Sequence, residues 1–357
     1  MPQLPLQPPG QPPGQPPGQS PLRLSRLALD LPLESGASLP AELVYGTAGT
    51  LAPARDNVVL VPSYYTGTSD SYLPWIGPGR VLDTDRWFVV VVDMLGNGIS
   101  TSPSNAPHEY AGPRFPRVTV RDQVRAQRAL LDSLGIDRLR LVTGWSMGAM
   151  QAYEWAVSHP DAVDALLPIC GAARCSPHNR VFLEGARAAL VADPAFLDGS
   201  YVAPPVVGLR AFGTVYAGWA YSREFFLDAG EGSDRGFRAL GYTSVDDVLR
   251  DWALDHAARD ANDLLAMMDT WLSGDVGRER PGGYDAALGS ITARTIVMPS
   301  TTDMYFTVAD SAVEASLVPG AELRPLDSEL GHVAGRPGVR ETETAAIAAA
   351  VRELLEG

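Results

Sequence analysis

Short apolar runs alternate with longer stretches of helical spacing along most of this chain. The runs at 58–61 and 88–93 are apolar on successive positions, which is typical of central strands covered by helices on both faces. Their alternation with helical stretches indicates an α/β fold with a largely parallel sheet. The pattern predicts eight strands, at 24–30, 41–45, 58–61, 88–93, 139–143, 165–169, 295–298 and 322–326. It also predicts helices at 120–134, 147–158, 311–317 and 342–355.

The strand pattern stops between Cys170 and Arg294. Stretches 181–192 and 245–271 show helical spacing with many alanines instead. An insertion of that size between two strands would lie over the carboxyl ends of the sheet, where ligands bind in open α/β folds. We therefore predict a core of residues 24–170 and 294–357, with residues 171–293 forming a helical cap that roofs the site.

The N-terminal segment has a different composition. Residues 7–18 repeat Q-P-P-G three times in succession. Proline removes amide donors, and this composition offers nothing to bury. The four-residue period does not place glycine at every third position, so a loose polyproline-II segment fits better than collagen. Residues 1–23 are predicted to be a disordered tail.

Charge limits the partners of the chain. Its net charge of -14 disfavours nucleic acid and anionic membranes, because few clustered cations are available to displace counterions. All 28 basic residues are arginine, which excludes lysine chemistry such as a Schiff base. The N-terminus lacks the basic and apolar segments of a signal peptide, and the apolar runs are too short to span a bilayer. A cytoplasmic location is therefore expected by default.

Two cysteines are present, Cys170 and Cys175. They lack C-x-x-C spacing and are too few for a disulfide framework, so we expect free thiols. No Walker lysine, no G-x-G-x-x-G after the first strand and no metal-ligand spacing such as H-E-x-x-H is present. We predict no cofactor and no metal site.

The sharpest motif is Gly144-Trp145-Ser146-Met147-Gly148. It follows the predicted strand 139–143 and precedes the predicted helix 147–158, which is the context that a nucleophile elbow requires. Side chains in place of the flanking glycines would collide with the neighbouring strand and helix. Ser146 is the predicted nucleophile, and a glycine-rich strand-to-helix turn without catalytic function is the alternative.

A serine hydroxyl is a weak nucleophile that needs a base and an acid to orient the base. Of five histidines, only His332 follows the last predicted strand. Asp303 follows the preceding strand, so the order Ser146, Asp303, His332 matches the order used by enzymes with this elbow. Asp303 capping the next helix is the alternative for that residue, and a surface-loop role is the alternative for His332.

An oxyanion needs two amide donors. The residue after the nucleophile, Met147, supplies one. The loop after strand 58–61 supplies the other, and we favour the Tyr65 amide. The side chains of Tyr64 and Trp145 are candidates to line an acyl pocket, although aromatic residues beside a buried strand are more often core.

The segments GWSMGAMQAYEWA, MPSTTDMYF and DSELGH together resemble the homoserine O-acetyltransferase-like branch of the α/β-hydrolases. The resemblance runs from about residue 41 to the C-terminus. It implies an α/β-hydrolase fold, Ser146 as the acyl carrier, Asp303 and His332 as its partners, and Tyr65 at the oxyanion position. Acetyl-CoA would then be an acyl-donor substrate.

One departure from that family affects the substrate. Homoserine transacetylases have an aspartate after the catalytic histidine that is implicated in holding the substrate's amino group, and this chain has Val333. Homoserine is therefore disfavoured. Residues 168–179 and 259–265 resemble a subgroup of uncharacterised members, and relatives in actinobacterial natural-product pathways are associated with tailoring of acetylated intermediates.

Three functions remain open at this point. The first is short-chain acyl-ester chemistry through an acyl-Ser146 intermediate, ending in transfer to an alcohol or to water. The second is elimination of acetate in secondary metabolism with His332 as a general base. The third is a non-catalytic ligand-binding protein on the same fold. The partner is a small-molecule ester or alcohol; the oligomeric state is left open, with a homodimer among the options.

Overall fold

The computed structural model describes residues 20–227 and 229–356 of the 357-residue chain. Its central sheet has the order β1-β2-β4-β3-β5-β6-β7-β8. The pairs β1–β2 and β2–β4 are antiparallel, and all other neighbours are parallel. The strands are β1 Arg23–Pro32, β2 Ser38–Ala48, β3 Val58–Pro62, β4 Phe88–Val92, β5 Leu141–Trp145, β6 Ala165–Ile169, β7 Arg294–Val297 and β8 Glu322–Leu323. The predicted eight-stranded, mostly parallel sheet is confirmed.

Helices cover both faces of this sheet. Alternate residues of the central strands enter two separate apolar clusters, with Val59 and Val61 of β3 in one and Val58 and Leu60 in the other. Because both faces are buried, the strands are apolar on every residue. The helices outside the β6–β7 connection are α1 Val120–Ser133, α2 Met147–Ser158, α8 Val308–Leu317 and α9 Glu341–Glu356. Each lies within three residues of its predicted bounds.

The connection between β6 and β7 is helical. Its helices are α3 Pro177–Val191, α4 Val206–Ala220, α5 Val245–Ala257, α6 Ala261–Leu272 and α7 Gly283–Gly289. The stretch 245–271 is divided in two, because Asp260 caps α6 by accepting the main-chain N–H groups of Asn262 and Asp263. We refer to residues 171–293 as the cap.

The cap rests on the loops that leave the carboxyl edge of the sheet. The Tyr65 hydroxyl, in the loop after β3, donates to the Leu264 carbonyl at 3.0 Å. The loop after β4 is attached through Ser104, whose hydroxyl and main-chain N–H both donate to the Asp263 carboxylate. The cap therefore contacts the edge where parallel strands present functional groups.

The last two residues of the predicted tail, Leu22 and Arg23, pack on the sheet in the described structure. Leu22 is buried and lies against the position where a Cβ on Gly46 would stand, and Arg23 already pairs with Thr47. The apolar side chain of Leu22 packs on the antiparallel hairpin of β1 and β2. The proline-rich composition of the preceding residues did not predict this contact. The Q-P-P-G repeats lie outside the described residues.

No helix within residues 20–227 and 229–356 combines the length and the apolar character needed to cross a membrane.

Candidate active site

Ser146 stands at a sharp turn between β5 and α2. Its backbone has φ 60° and ψ -124°, which an L-residue rarely adopts and which costs on the order of 1–3 kcal/mol. The Ser146 N–H donates to the Ile169 carbonyl of β6 at 3.0 Å, and its own carbonyl receives the Ala149 N–H at 2.9 Å. The sheet and helix thus hold the serine in this strained conformation.

The two glycines of the motif allow this turn. A Cβ on Gly144 would lie 2.6 Å from the main chain of Gly148, and a Cβ on Gly148 would lie 2.6 Å from the Pro62 carbonyl oxygen. Both contacts are shorter than real Cβ atoms tolerate, and both involve backbone. Helix α2 can pack this closely on β3 and β5 only because Gly144 and Gly148 have no side chains.

Asp303 and His332 meet at the carboxyl ends of β7 and β8. The Asp303 Oδ2 accepts a hydrogen bond from His332 Nδ1 at 2.7 Å, and both side chains are almost fully buried. Asp303 Oδ1 accepts the N–H groups of Tyr305 and Phe306 at 3.0 Å each. Thr307 caps α8, so the alternative role of Asp303 as the cap of that helix is wrong.

Trp145 connects His332 to the elbow. The indole Nε1 donates to the His332 carbonyl oxygen at 3.1 Å, and the two rings stack with centroids 4.9 Å apart. Ser146 follows Trp145 directly, so the imidazole lies beside the serine's turn. Among the described residues the Ser146 hydroxyl has no hydrogen-bond partner, and such bonds often shorten only when substrate binds.

The two predicted oxyanion donors have free main-chain N–H groups. Neither the Tyr65 N–H nor the Met147 N–H donates a hydrogen bond to any described residue. Met147 opens α2, where N–H groups lack intrahelical acceptors and the helix dipole favours negative charge. The Tyr72 hydroxyl joins the two regions, because it accepts the Trp145 N–H and donates to the Pro62 carbonyl, each at 3.1 Å.

Tyr64 and Trp145, the candidate pocket residues, are both buried and pack edge to face with ring centroids 4.5 Å apart. Tyr64 also lies against Tyr72 and beneath Gly67, where a Cβ would stand 2.5 Å from its ring. These contacts favour a packing role for Tyr64. Trp145 has the additional contact with His332 described above.

Sequence reasoning missed Tyr305. Its ring lies 4.4 Å from that of His332, and its other side stacks on Phe182 of α3 at 5.1 Å. The hydroxyl is buried without a hydrogen-bond partner among the described residues, and burial raises its pKa well above the usual value. Its position two residues after Asp303 is the one signal in the sequence that could have identified it.

The two cysteines are weak candidates for a nucleophile. Both cysteines are free thiols, as predicted. Burial raises the pKa of Cys175 to about 12 and that of Cys170 well above the usual value, so the reactive thiolate is scarce at neutral pH. Within the described part of the chain, no group of three or more His, Cys, Asp or Glu residues has the arrangement of a metal site.

Comparisons with known proteins are consistent with this geometry. A family model described as alpha/beta hydrolase fold matches residues 56–329. An ethyl acetate hydrolase from Pseudomonas veronii is 40% identical over 312 residues, which cover 85% of this chain and 87% of that protein. A homoserine O-acetyltransferase from Thermobifida fusca is 36% identical over 341 residues, covering 87% of this chain and 88% of that protein.

A solved structure of a known hydrolase is also similar to this chain. The structure of an acetylester hydrolase from Corynebacterium glutamicum is similar with a TM-score of 0.88 and 36% sequence identity. The match covers 94% of this chain and 96% of that one. The similarity therefore includes both the sheet and the helical connection between β6 and β7.

Proposed function

Since this chain belongs to the alpha/beta hydrolase fold family and is a serine-dependent acyl-ester enzyme within it, we propose that it hydrolyses esters of acetic acid or another short acid through an acyl-Ser146 intermediate. The observation that carries this proposal is the buried hydrogen bond between Asp303 and His332, packed on Trp145 next to Ser146. The predicted resemblance to the homoserine O-acetyltransferase-like branch is confirmed, and relatives named as esterases share it.

In the first half-reaction the nucleophile is generated by proton transfer. Because His332 Nδ1 is bonded to Asp303, its Nε2 is left as the base that takes the Ser146 proton. The Ser146 oxygen attacks the ester carbonyl carbon, and the carbonyl oxygen becomes an oxyanion that the Tyr65 and Met147 amides stabilise. The carbon–oxygen bond to the alcohol then breaks, and the alcohol leaves with the proton from His332.

In the second half-reaction water replaces the alcohol. His332 removes a proton from the water, the resulting hydroxide attacks the acyl carbon, and the same amides stabilise the second oxyanion. The acyl–Ser146 bond breaks, the serine recovers its proton from His332, and the short acid leaves. No cofactor enters either step, and a small-molecule ester is the only partner required.

Transfer to homoserine is less compatible with the site. Val333, next to the base, is apolar and buried, so it offers no charge to a substrate's ammonium group. The relatives named as an esterase and an ethyl acetate hydrolase support ester hydrolysis. They give no better support to acetate elimination or to non-catalytic ligand binding. With acetyl-CoA as donor, the same acyl-enzyme would still deliver its acyl group to an alcohol that displaced water.

The cap is part of this proposal. We treat residues 171–293 as a unit that roofs the site and residues 24–170 and 294–357 as the core that carries the triad. The contacts of Leu264 with the loop after β3 and of Asp263 with the loop after β4 support that division. Action on small, uncharged esters in the cytoplasm completes the proposal.

The test is hydrolysis of a short ester by the full chain and by Ser146→Ala. We expect the unsubstituted protein to release acid from ethyl acetate, and a fluorophosphonate to label Ser146 alone. Ser146→Ala should lose both properties while keeping its melting temperature. In ¹⁸O-water the released acid should carry the label, which separates hydrolysis from transfer to an added alcohol.

Ser133→Ala is the matched control, because Ser133 ends α1 and only donates to the Leu130 carbonyl. It should leave hydrolysis and labelling unchanged. Turnover that survives Ser146→Ala, with loss of acetate from an acetylated substrate and no acyl-enzyme in the mass spectrum, would instead identify an elimination.

A further inference from the structure

The loop that carries the Tyr65 amide contains a strained turn. The Gly67 N–H donates to the Tyr64 carbonyl at 2.8 Å, which closes a four-residue turn. Thr66 has φ 64°, whereas Tyr65 is not among the residues with positive φ, a combination typical of a type II turn. Glycine or asparagine normally occupies the position of Thr66, because a β-branched residue is strained there.

The cap holds this turn. Arg259, in the link between α5 and α6, donates from Nη1 to the Thr66 carbonyl at 3.0 Å. Its other nitrogens are fixed by Asp255, with Nε to Oδ2 at 3.0 Å and Nη2 to Oδ1 at 3.1 Å. A second contact comes from α6, whose Leu264 carbonyl accepts the Tyr65 hydroxyl. Within the described residues, Arg259 is the one charged side chain that hydrogen-bonds to the main chain of the turn.

Among the described core residues outside the turn, Asn97 alone hydrogen-bonds to the carbonyl oxygens of residues 66 and 67. Asn97 donates from Nδ2 to the Gly67 carbonyl at 3.3 Å, which is longer than the Arg259 contact. A charge-assisted bond from a guanidinium is stronger than a bond between neutral groups. Besides the turn's own hydrogen bond from the Gly67 N–H, the Arg259 bond is therefore the main restraint that reaches this peptide from outside the turn.

We propose that Arg259 is a positioning residue for the oxyanion hole: from the cap, it keeps Thr66 in its left-handed conformation, so that the turn presents the Tyr65 amide to the developing oxyanion. This inference rests on the proposed function, since it assigns the Tyr65 amide a catalytic role. Without the Arg259 bond, Thr66 relaxes toward negative φ and the amide rotates away. The oxyanion hole is complete only while the cap is in place.

The first variant is Arg259→Met, which keeps a stem of similar length and removes every donor. We expect kcat for a short ester to fall about 10- to 100-fold, because a small displacement of an oxyanion donor acts on the transition state. KM should stay within about twofold, since the ground-state ester does not need this bond. Arg259→Lys keeps a single charged donor group in place of the guanidinium and should retain an intermediate kcat.

The decisive variant is the double substitution Thr66→Gly with Arg259→Met. Glycine adopts the left-handed conformation without strain, so the turn no longer needs the arginine. We expect kcat to return to within about threefold of the unsubstituted value. Arg250→Met is the matched control, because Arg250 lies on α5, is exposed and pairs only with Asp247; it should change neither kcat nor KM.

Three outcomes would overturn the inference. The first is an unchanged kcat in folded Arg259→Met, and the second is a change in that variant that is confined to a higher KM. The third is a kcat that stays low in the double substitution Thr66→Gly with Arg259→Met. An unsubstituted protein that hydrolyses no ester would contradict the proposed function instead. Amide hydrogen exchange then decides the inference by itself. Exchange at residues 65–67 should be faster in Arg259→Met and should return toward the original rate in the double variant.

Discussion

Asp303 divides two tasks between its two carboxylate oxygens. Oδ1 holds the main chain of the loop after β7 through Tyr305 and Phe306, while Oδ2 orients His332. The two backbone donors fix the carboxylate, so that Oδ2 stays directed at His332 Nδ1. In the proposed mechanism Asp303 therefore has both a structural and an electrostatic role.

Asp303→Asn tests that division. The asparagine oxygen can still accept the two main-chain N–H groups, but its amide then faces His332 Nδ1 and favours the tautomer with a proton on Nε2. We expect kcat to fall by about 10⁴-fold with little change in melting temperature. The measurement is ester hydrolysis together with thermal unfolding.

Glu329→Gln is the control for this prediction, because Glu329 lies close in sequence to His332 but pairs with Arg340 at 2.8 Å. It should retain nearly full activity. Loss of activity in Glu329→Gln with retention in Asp303→Asn would reverse the assignment of the acid.

Helices and strands with strong local signals were predictable from sequence. Helix α1 begins after Thr119, which forms a capping box with Asp122, and its apolar face repeats at helical spacing. The strands β3 and β4 were recognisable because both of their faces are buried. Strand β8 was predicted over five residues and pairs over two, with a further bridge from Ser300 to Leu326.

The candidate triad was predictable because each member follows a strand or opens a helix. The contacts that support it were not, because they join segments far apart in the sequence. Tyr72 reaches the elbow across the sheet, and Arg259 reaches the Thr66 carbonyl from the cap. The hydrophobic periodicity of a single sequence does not predict contacts between such distant residues, because tertiary packing determines them.

At the scale of elements, Glu314 links α8 to its neighbours. This buried carboxyl group accepts the Ala173 N–H at 2.8 Å and the Tyr284 hydroxyl of α7 at 2.9 Å. Burial raises its pKa from 4.5 to about 7. The folded protein therefore binds an additional proton between these two values, and its stability falls as the pH rises through that window.

Glu314→Gln mimics the protonated acid and should remove this contribution. We expect the variant to resemble the original protein near pH 4.5 and to gain stability relative to it by pH 8, on the order of 3 kcal/mol. Urea unfolding at several pH values measures the difference. Glu109 is exposed, so the free energy of unfolding of Glu109→Gln, plotted against pH, should run parallel to that of the original protein. A parallel curve for Glu314→Gln would contradict the prediction.

At the scale of the whole molecule, the described residues enclose the candidate catalytic groups. Ser146 and His332 are each only 3% exposed. The Tyr305 ring contacts His332 and also the rings of Phe182 and Trp271 in the cap. Such packed rings leave little room for a long hydrocarbon chain. We therefore expect this enclosure to favour small acyl groups and to separate the proposed acyl-enzyme from bulk solvent.

The acyl chain length of the substrate tests this enclosure. For p-nitrophenyl esters we expect kcat/KM to be highest for acetate, at least about 10-fold lower for hexanoate, and negligible for dodecanoate. Phe182→Val should shift the preference toward longer acids by opening the aromatic wall. Equal rates for acetate and dodecanoate in the original protein would contradict this expectation.

The position of the cap between β6 and β7 has a consequence for synthesis of the protein. Ser146 is made long before Asp303 and His332, and the whole cap must leave the ribosome before β7 can join β6. At about 5–20 residues per second, a nascent chain therefore carries its serine for several seconds without an acid or a base. Under the proposed mechanism, reactivity arises only when the last strands dock, and we expect an unfinished chain not to attack esters in its surroundings.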